Sequence, residues 1–283
     1  MNITHLKPSQ ILKTEPFWLA SIAAGLAAIC LTLVWKAHDV GHLGMSLLFL
    51  FAIGSILWDK RHTFNFESDV FSSVVGWLII SWVLWQSTTH NLGYIIRLLP
   101  LASAIGVGLL ASGFKGVKQY WEAFIILFFL EIPSVLAELF LDISPYSAKF
   151  ASLILWYLGY DLTLNGVYIH LTTGSVKVVP SCSGIDTINY LLGISIIALV
   201  MFPIAKNKRL FVSLFAMFLG FFLNAIRIAI LAVMVGTNEA AFHSWHGGNA
   251  SYSFGVFGIL IFGAFYMFIL RQEERQIQKM EKS

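Results

Sequence analysis

The amino-acid sequence predicts an all-α polytopic membrane protein of about eight transmembrane helices, with a small extracytoplasmic helix and a β-hairpin placed ahead of one cysteine. Three observations carry this. The 283 residues are 58% hydrophobic and only 12% charged, whereas ordinary soluble domains carry about 25% charge. Such a chain cannot cover itself with polar surface, so its solvent is largely lipid. Apolar runs near the roughly 17–25 residues needed to cross a bilayer recur along it. The basic residues are also divided unevenly among the connections.

The runs lie at about 17–36, 44–58, 70–86, 98–114, 121–141, 187–205, 210–235 and 253–270. The first starts well inside the chain and lacks a small-residue cleavage site, so it reads as a span rather than a signal peptide. With the N-terminus placed inside, thirteen of the 18 basic residues fall in inner segments, from Lys7 and Lys13 to Lys279 and Lys282. Only Lys36, Arg97, Lys149 and Lys177 fall outside, and Arg227 alone lies within a span. Cytoplasmic connections collect Lys and Arg, so both termini are expected in the cytoplasm of a cell (inner) membrane protein. The reading is one integral membrane domain over 1–283. Its cytoplasmic flank is 1–16, its extracytoplasmic segment 142–182 and its cytoplasmic tail 271–283.

Within 142–182, "SAKFASLILWYLGY" is apolar but short. Counting it as a span would flip the parity and turn the basic 206–209 outward, so it reads as an interfacial or re-entrant helix. Val167, Ile169 and Leu171 alternate with Tyr168 and His170, "TTGS" reads as a turn, and "VKVV" as a second strand. This is the pattern of a β-hairpin, which ends at Pro180 and delivers the chain to Cys182.

Four groups of side chains could carry chemistry. Cys182 is one of two cysteines and faces the outer side, where an unpaired thiol needs a reason; Cys30 sits as an ordinary small residue in the first span. "CSGID" looks like a capping box of Ser183 with Asp186, which would put Cys182 just ahead of a helix N-terminus that favours thiolate. The plainer alternative is a small residue filling a helix start. Arg227, deep in "FFLNAIRIAILAVMV", is costly by about 2.5–3.5 kcal/mol on insertion scales. Asn224 lies on the same helix face. Arg227 could instead snorkel or pair with a carboxylate for packing. His243 and His246 stand in the loop "AAFHSWHGG", where an imidazole could act as acid or base or merely lie at the headgroups. No metal or other cofactor is expected, since a zinc site wants three or four ligands. Glu131 and Glu138, seven residues apart in the fifth span, support a rival reading as a transporter with intramembrane carboxylates. They and Asp186 are also possible ion partners of Arg227. A membrane assembly factor for surface-polymer export, without chemistry of its own, is a third reading.

A nucleophile, a cation and a base on one side of the membrane is the logic of acyl transfer through a thioester. The ordered set of "CSGI" at the start of a span, "NAIRIAI" in the next span and a histidine before the last one resembles the exosortase/archaeosortase family, over roughly 120–270. The resemblance implies a cysteine protease or transpeptidase with about eight spans that processes C-terminal sorting signals of the PEP-CTERM kind. Carried over by motif, Cys182 is the nucleophile and Arg227 stabilises charge on the thiolate or oxyanion. The "WHGG" context is similar to that of cyanobacterial exosortases and favours His246 as acid and base, with His243 as runner-up. Ser183, Asp186 and Asn224 support the site. The implied partners are the sorting signals, membrane lipid and a lipid- or sugar-linked amine acceptor, with no nucleic acid.

Overall fold

The computed structural model describes residues 15–37, 39–89 and 95–281. Most of the expected N-terminal flank, 1–16, lies outside them. The helices are α1 (Glu15–Lys36), α2 (Val40–Lys60), α3 (Val70–Ser87), α4 (Ile95–Gly116), α5 (Trp121–Phe140), α6 (Ser144–Tyr157), α7 (Ile185–Met201), α8 (Lys206–Met234), α9 (Glu239–His246) and α10 (Tyr252–Glu281). Among the described residues six helical stretches are long and apolar enough to cross a membrane, and α7 is a shorter apolar helix of 17 residues. The protein is therefore a multi-pass, helical membrane protein. Large apolar side chains point outward, Phe51 at 80% and Trp85 at 71% exposure, as expected where lipid replaces water.

The chain packs as two compact units, 1–132 and 133–283. In the first, α2 begins earlier than the run at 44–58 suggests, because Asp39 caps it by accepting from the His42 amide at 2.9 Å. Its full 21 residues suffice for a span. The stretch Ile95–Ala137 is one apolar run of 43 residues but two helices in space. Gly113 takes φ +60°, open to glycine at little cost, and the chain doubles back. A Cβ built on Gly108 would lie 3.2 Å from the Phe124 ring, whereas sixteen residues along one helix would separate them by about 24 Å. Leu26, Cys30, Ile80, Val83 and Leu99 form the core of this unit. Glu131, 1% exposed, is held there by His42, whose Nε2 lies 2.9 Å from Oε1. The side chain of Glu138 is outside what the structure describes.

The second unit carries the site. Its α8 spans 29 residues, about 43 Å, antiparallel in role to α10. The basic residues 206–209 are the first turn of α8 rather than a loop. Glu273 of α10 accepts from the Ala205 amide at 3.1 Å and pairs with Lys208 at 3.2 Å. The helix start thus gains the negative partner its dipole favours. α7 ends before Pro203, with Phe202 at φ −131°, ψ 73°, outside the α region that a following proline disfavours. Leu191, Val212, Ala216, Leu219, Phe262 and Tyr266 bind α7, α8 and α10 together.

The expected hairpin is a three-stranded antiparallel sheet: β1 (Leu162–Asn165), β2 (Tyr168–Leu171) and β3 (Gly174–Lys177), in the order β1-β2-β3. The strand missed was "LTLN". Its signal was Asn165-Gly166, a turn dipeptide, with Gly166 at φ +61°. One face of the sheet is apolar and packs on α6 and α8. Ile169 and Val178 are buried with Ala148, Ala151, Leu155, Ile228, Ala229 and Ala232. The small residues of α6 let backbone approach backbone, while Tyr146, Trp156 and Tyr157 on its other side stay exposed.

Candidate active site

Three elements of the second unit converge on Cys182. The chain leaves β3, turns at Pro180 into a 3₁₀ turn Pro180–Cys182, and enters α7. Two hydrogen bonds wind this turn: Cys182 N to Val179 O at 2.8 Å and Ser183 N to Pro180 O at 3.1 Å. The expected capping box does not form in that way. Ser183 is drawn into the αR region by the turn, whereas an N-cap needs extended backbone. Gly184 becomes the N-cap instead, at φ +98° and ψ 4°, without a side-chain cap. The Ser183 hydroxyl is buried with no hydrogen-bond partner among the described residues. Asp186 still stands in the first turn of α7, where negative charge suits the helix dipole.

The main chain at the cysteine is held from both sides. Asn224 of α8, 2% exposed, donates from Nδ2 to the Cys182 carbonyl at 3.1 Å. Ser147 of α6, fully buried, donates to the Ser183 carbonyl at 2.6 Å. Two consecutive carbonyls are thus fixed by two different helices. Asn224 was legible as a same-face neighbour of Arg227. Ser147 was not, since nothing in "SPYSAKF" separates it from a packing serine.

The thiol faces an imidazole. Cys182 Sγ lies 3.5 Å from His246 Nε2, within hydrogen-bond reach for sulfur. The region 239–246, expected as a loop, is helix α9, capped by the Asn238 side chain accepting from the Ala241 amide at 3.0 Å. The helix determines which of the two imidazoles lies against the thiol. His246 reaches the sulfur, and Phe242, one turn earlier, stacks on its ring at 5.2 Å and 10°. His243 is exposed and lies edge-on to Phe242 at 5.7 Å, and its carbonyl accepts the amides of Gly247 and Gly248. Phe242 was visible in the sequence as an i, i+4 neighbour once the segment is read as helix.

Arg227 sits seven residues from the end of α8, about 10 Å along the axis. Among the described residues it takes no carboxylate, one of the two plainer roles open to it from the sequence. Its Nη2 donates to the His246 carbonyl at 2.5 Å, and its Nε is buried with no partner. Burial first, then the Arg227 charge and a smaller push from His243, hold the His246 pKa below its ordinary value of 6.5. The imidazole is therefore neutral at pH 7, able to take a proton from the thiol and then, as imidazolium, to yield it readily.

His170 lies elsewhere, on the outer face of β2, stacked on Tyr168 and 2.7 Å from the Ser175 hydroxyl. Among the described residues no cluster of three or more His, Cys, Asp or Glu side chains could hold a metal. A pocket of about 140 Å³ opens beside Cys182 and His246. A larger groove of about 500 Å³, lined by Tyr146, Lys149, Phe150, Ser152, Leu153, Trp156, Leu162 and Phe221, contains neither a cysteine nor a histidine.

No curated protein and no solved structure gives a significant match to the chain. The family profile described as transmembrane exosortase (Exosortase_EpsH) matches residues 35–263, a stretch that contains all of Cys182, Arg227 and His246. With about four-fifths of its length matched, the chain belongs to the transmembrane exosortases, a family of membrane transpeptidases.

Proposed function

We propose that this exosortase is a cysteine protease/transpeptidase that cleaves C-terminal PEP-CTERM-like sorting signals of exported proteins through a thioester. The observation that carries the reading is the 3.5 Å contact between Cys182 Sγ and His246 Nε2, with Arg227 anchored on the same histidine. Neutral His246 takes the thiol proton as Cys182 Sγ attacks the scissile carbonyl. Charge collects on the carbonyl oxygen, near the fixed cation of Arg227. The C–N bond breaks as His246 returns the proton to the leaving amine, whose hydrophobic tail departs. The acyl group, now a thioester on Cys182, passes to an acceptor: an amine on lipid or sugar, or water. His246 removes the acceptor proton, and the thiol is regenerated.

The site is assigned to the extracytoplasmic face. Lys206, Lys208, Arg209, Arg271 and Arg275 gather at the opposite end of α8 and α10, and basic ends lie inside. Both termini are then cytoplasmic.

The test is processing in cells of a tagged precursor that carries a C-terminal hydrophobic segment and a basic tail. Cys182→Ala, His246→Ala and Arg227→Ala are expected to insert normally and leave it uncleaved. Full cleavage by Cys182→Ala refutes the reading. Labelling of Cys182 in intact cells by a membrane-impermeant maleimide checks the face. Reaction only after permeabilisation would overturn the topology.

A further inference from the structure

The pocket beside Cys182 has an unusual wall. It is lined by four consecutive residues, Ser175, Val176, Lys177 and Val178. Side chains of a strand point alternately to opposite faces, so a cavity meets four in a row only along the strand's edge. β3 is an edge strand, paired on one side with β2 alone. The hydrogen-bond register says which groups are free. Val178 N donates to Val167 O at 2.9 Å, and the pairs Ile169↔Val176 and Leu171↔Gly174 continue that alternation toward β2. The N–H and C=O groups of Ser175 and Lys177 therefore face the open edge. Their side chains are occupied on the outer face: Ser175 with His170 at 2.7 Å, and Lys177 over the Tyr168 ring at 5.3 Å.

Opposite the edge stand Ile228 and Leu231 of α8 and Val235 at its C-cap, one apolar stripe. Phe242 and His246 of α9 close the third side. Beyond Ser175 and Val235, Gly236 abuts the Thr173 carbonyl, and Cys182 lines the trough together with His246. Its 140 Å³ holds four or five waters' share of liquid at about 30 Å³ each, about one medium apolar side chain.

We infer that the trough takes the substrate as an extended peptide strand added to the edge of β3, paired with the main chain of Ser175 and Lys177, with one apolar side chain against Ile228, Leu231 and Val235 and the scissile carbonyl delivered to Cys182. This rests on the reading of Cys182 as the nucleophile. Unpaired strand groups are matched by another extended backbone, and the Cys182–His246 pair lines the same pocket.

The experiment uses the full-length protein in membranes with the tagged precursor described above. Lys177→Pro deletes one edge-facing N–H and leaves the β2 ladder intact, a placement proline tolerates on edge strands. Lys177→Ala loses the side chain and keeps the N–H. Lys177→Pro is expected to process about five- to tenfold more slowly than Lys177→Ala, the worth of one main-chain hydrogen bond. Val235→Trp, which fills the trough from the helix side, is expected to lower processing at least tenfold while N-ethylmaleimide still alkylates Cys182. Equal rates for the two Lys177 variants together with wild-type rates for Val235→Trp overturn the strand-addition proposal and leave the cysteine chemistry standing. Processing by Cys182→Ala, run alongside, overturns both.

Discussion

Gly184→Ala tests how tightly the nucleophile's backbone is held. Gly184, Gly159 and Gly166 all have positive φ, at +98°, +86° and +61°. An alanine at any of them incurs the left-handed penalty of about 1–2 kcal/mol. Around Gly159 and Gly166 a Cβ meets nothing within 4 Å, so their substitution carries that penalty alone. At Gly184 the Cβ would lie 2.6 to 2.8 Å from Nδ2, Cγ and Cβ of Asn224. Asn224 must move, and it cannot move without releasing the Cys182 carbonyl. A lost neutral hydrogen bond costs about 1 kcal/mol, and a buried amide left unpaired about 1–3 kcal/mol. Gly184→Ala is thus expected to cost about 2–5 kcal/mol, against 1–2 for the controls. Since the displaced group carries the nucleophile, processing should fall about 10- to 100-fold below that of Gly159→Ala. The assay pairs thermal unfolding in detergent with the cleavage rate of the tagged precursor. A Gly184→Ala protein that matches Gly159→Ala in both would refute the claim that Asn224 and Gly184 fix Cys182.

Arg227→Lys keeps the charge and loses the planar fork. The shorter side chain should lose its grip on the His246 carbonyl and cut processing at least tenfold, with insertion unchanged by protease protection. His243→Ala removes one of the charges that hold His246 below 6.5, so the acid limb of the pH–rate profile should move upward. A base with a lowered pKa is active above it and is lost as pH falls through it, and the limb lies below pH 6.5 in the intact protein. His246→Ala should abolish the limb with the activity. Ser147→Ala should slow cleavage about fivefold or more while Ser147→Thr restores part of it, a rescue that mere cavity filling by Ser147→Val would not give. His42→Leu should destabilise the first unit by about 3–5 kcal/mol by leaving Glu131 buried without its partner, read as a lower unfolding temperature.

The spans were legible because apolar runs and basic ends are properties of composition, and α1, α3 and α8 fall close to where hydropathy put them, while α10 starts where expected but continues eleven residues past the run at 253–270. The reversal at Gly113 was legible too, as the gap between the runs at 98–114 and 121–141. Less legible were features set by contact between distant segments. Asp39 extends α2 by a cap, and Asn165-Gly166 adds a third strand. The 3₁₀ turn moves the cap of α7 from Ser183 to Gly184. At the site, Cys182, Arg227, His246 and Asn224 could be named from motif and topology. What could not be read was that Arg227 reaches the carbonyl of His246 rather than a carboxylate. The motif favoured His246 over His243, but the physical reason that His246 meets the sulfur could not be read, because it depends on 239–246 being a helix. Glu131 finds its partner in His42, 89 residues away, and no local pattern shows that pairing.

The central claim is that Cys182 carries the acyl group. Trapping that adduct tests it most directly: the tagged precursor, quenched in acid during processing, should run as a covalent complex with the full-length protein. Neutral hydroxylamine should cleave the complex, as it does a thioester, and Cys182→Ala should lack it. A precursor that is cleaved at normal rate with no hydroxylamine-sensitive complex, or a complex that persists in Cys182→Ala, would contradict the account.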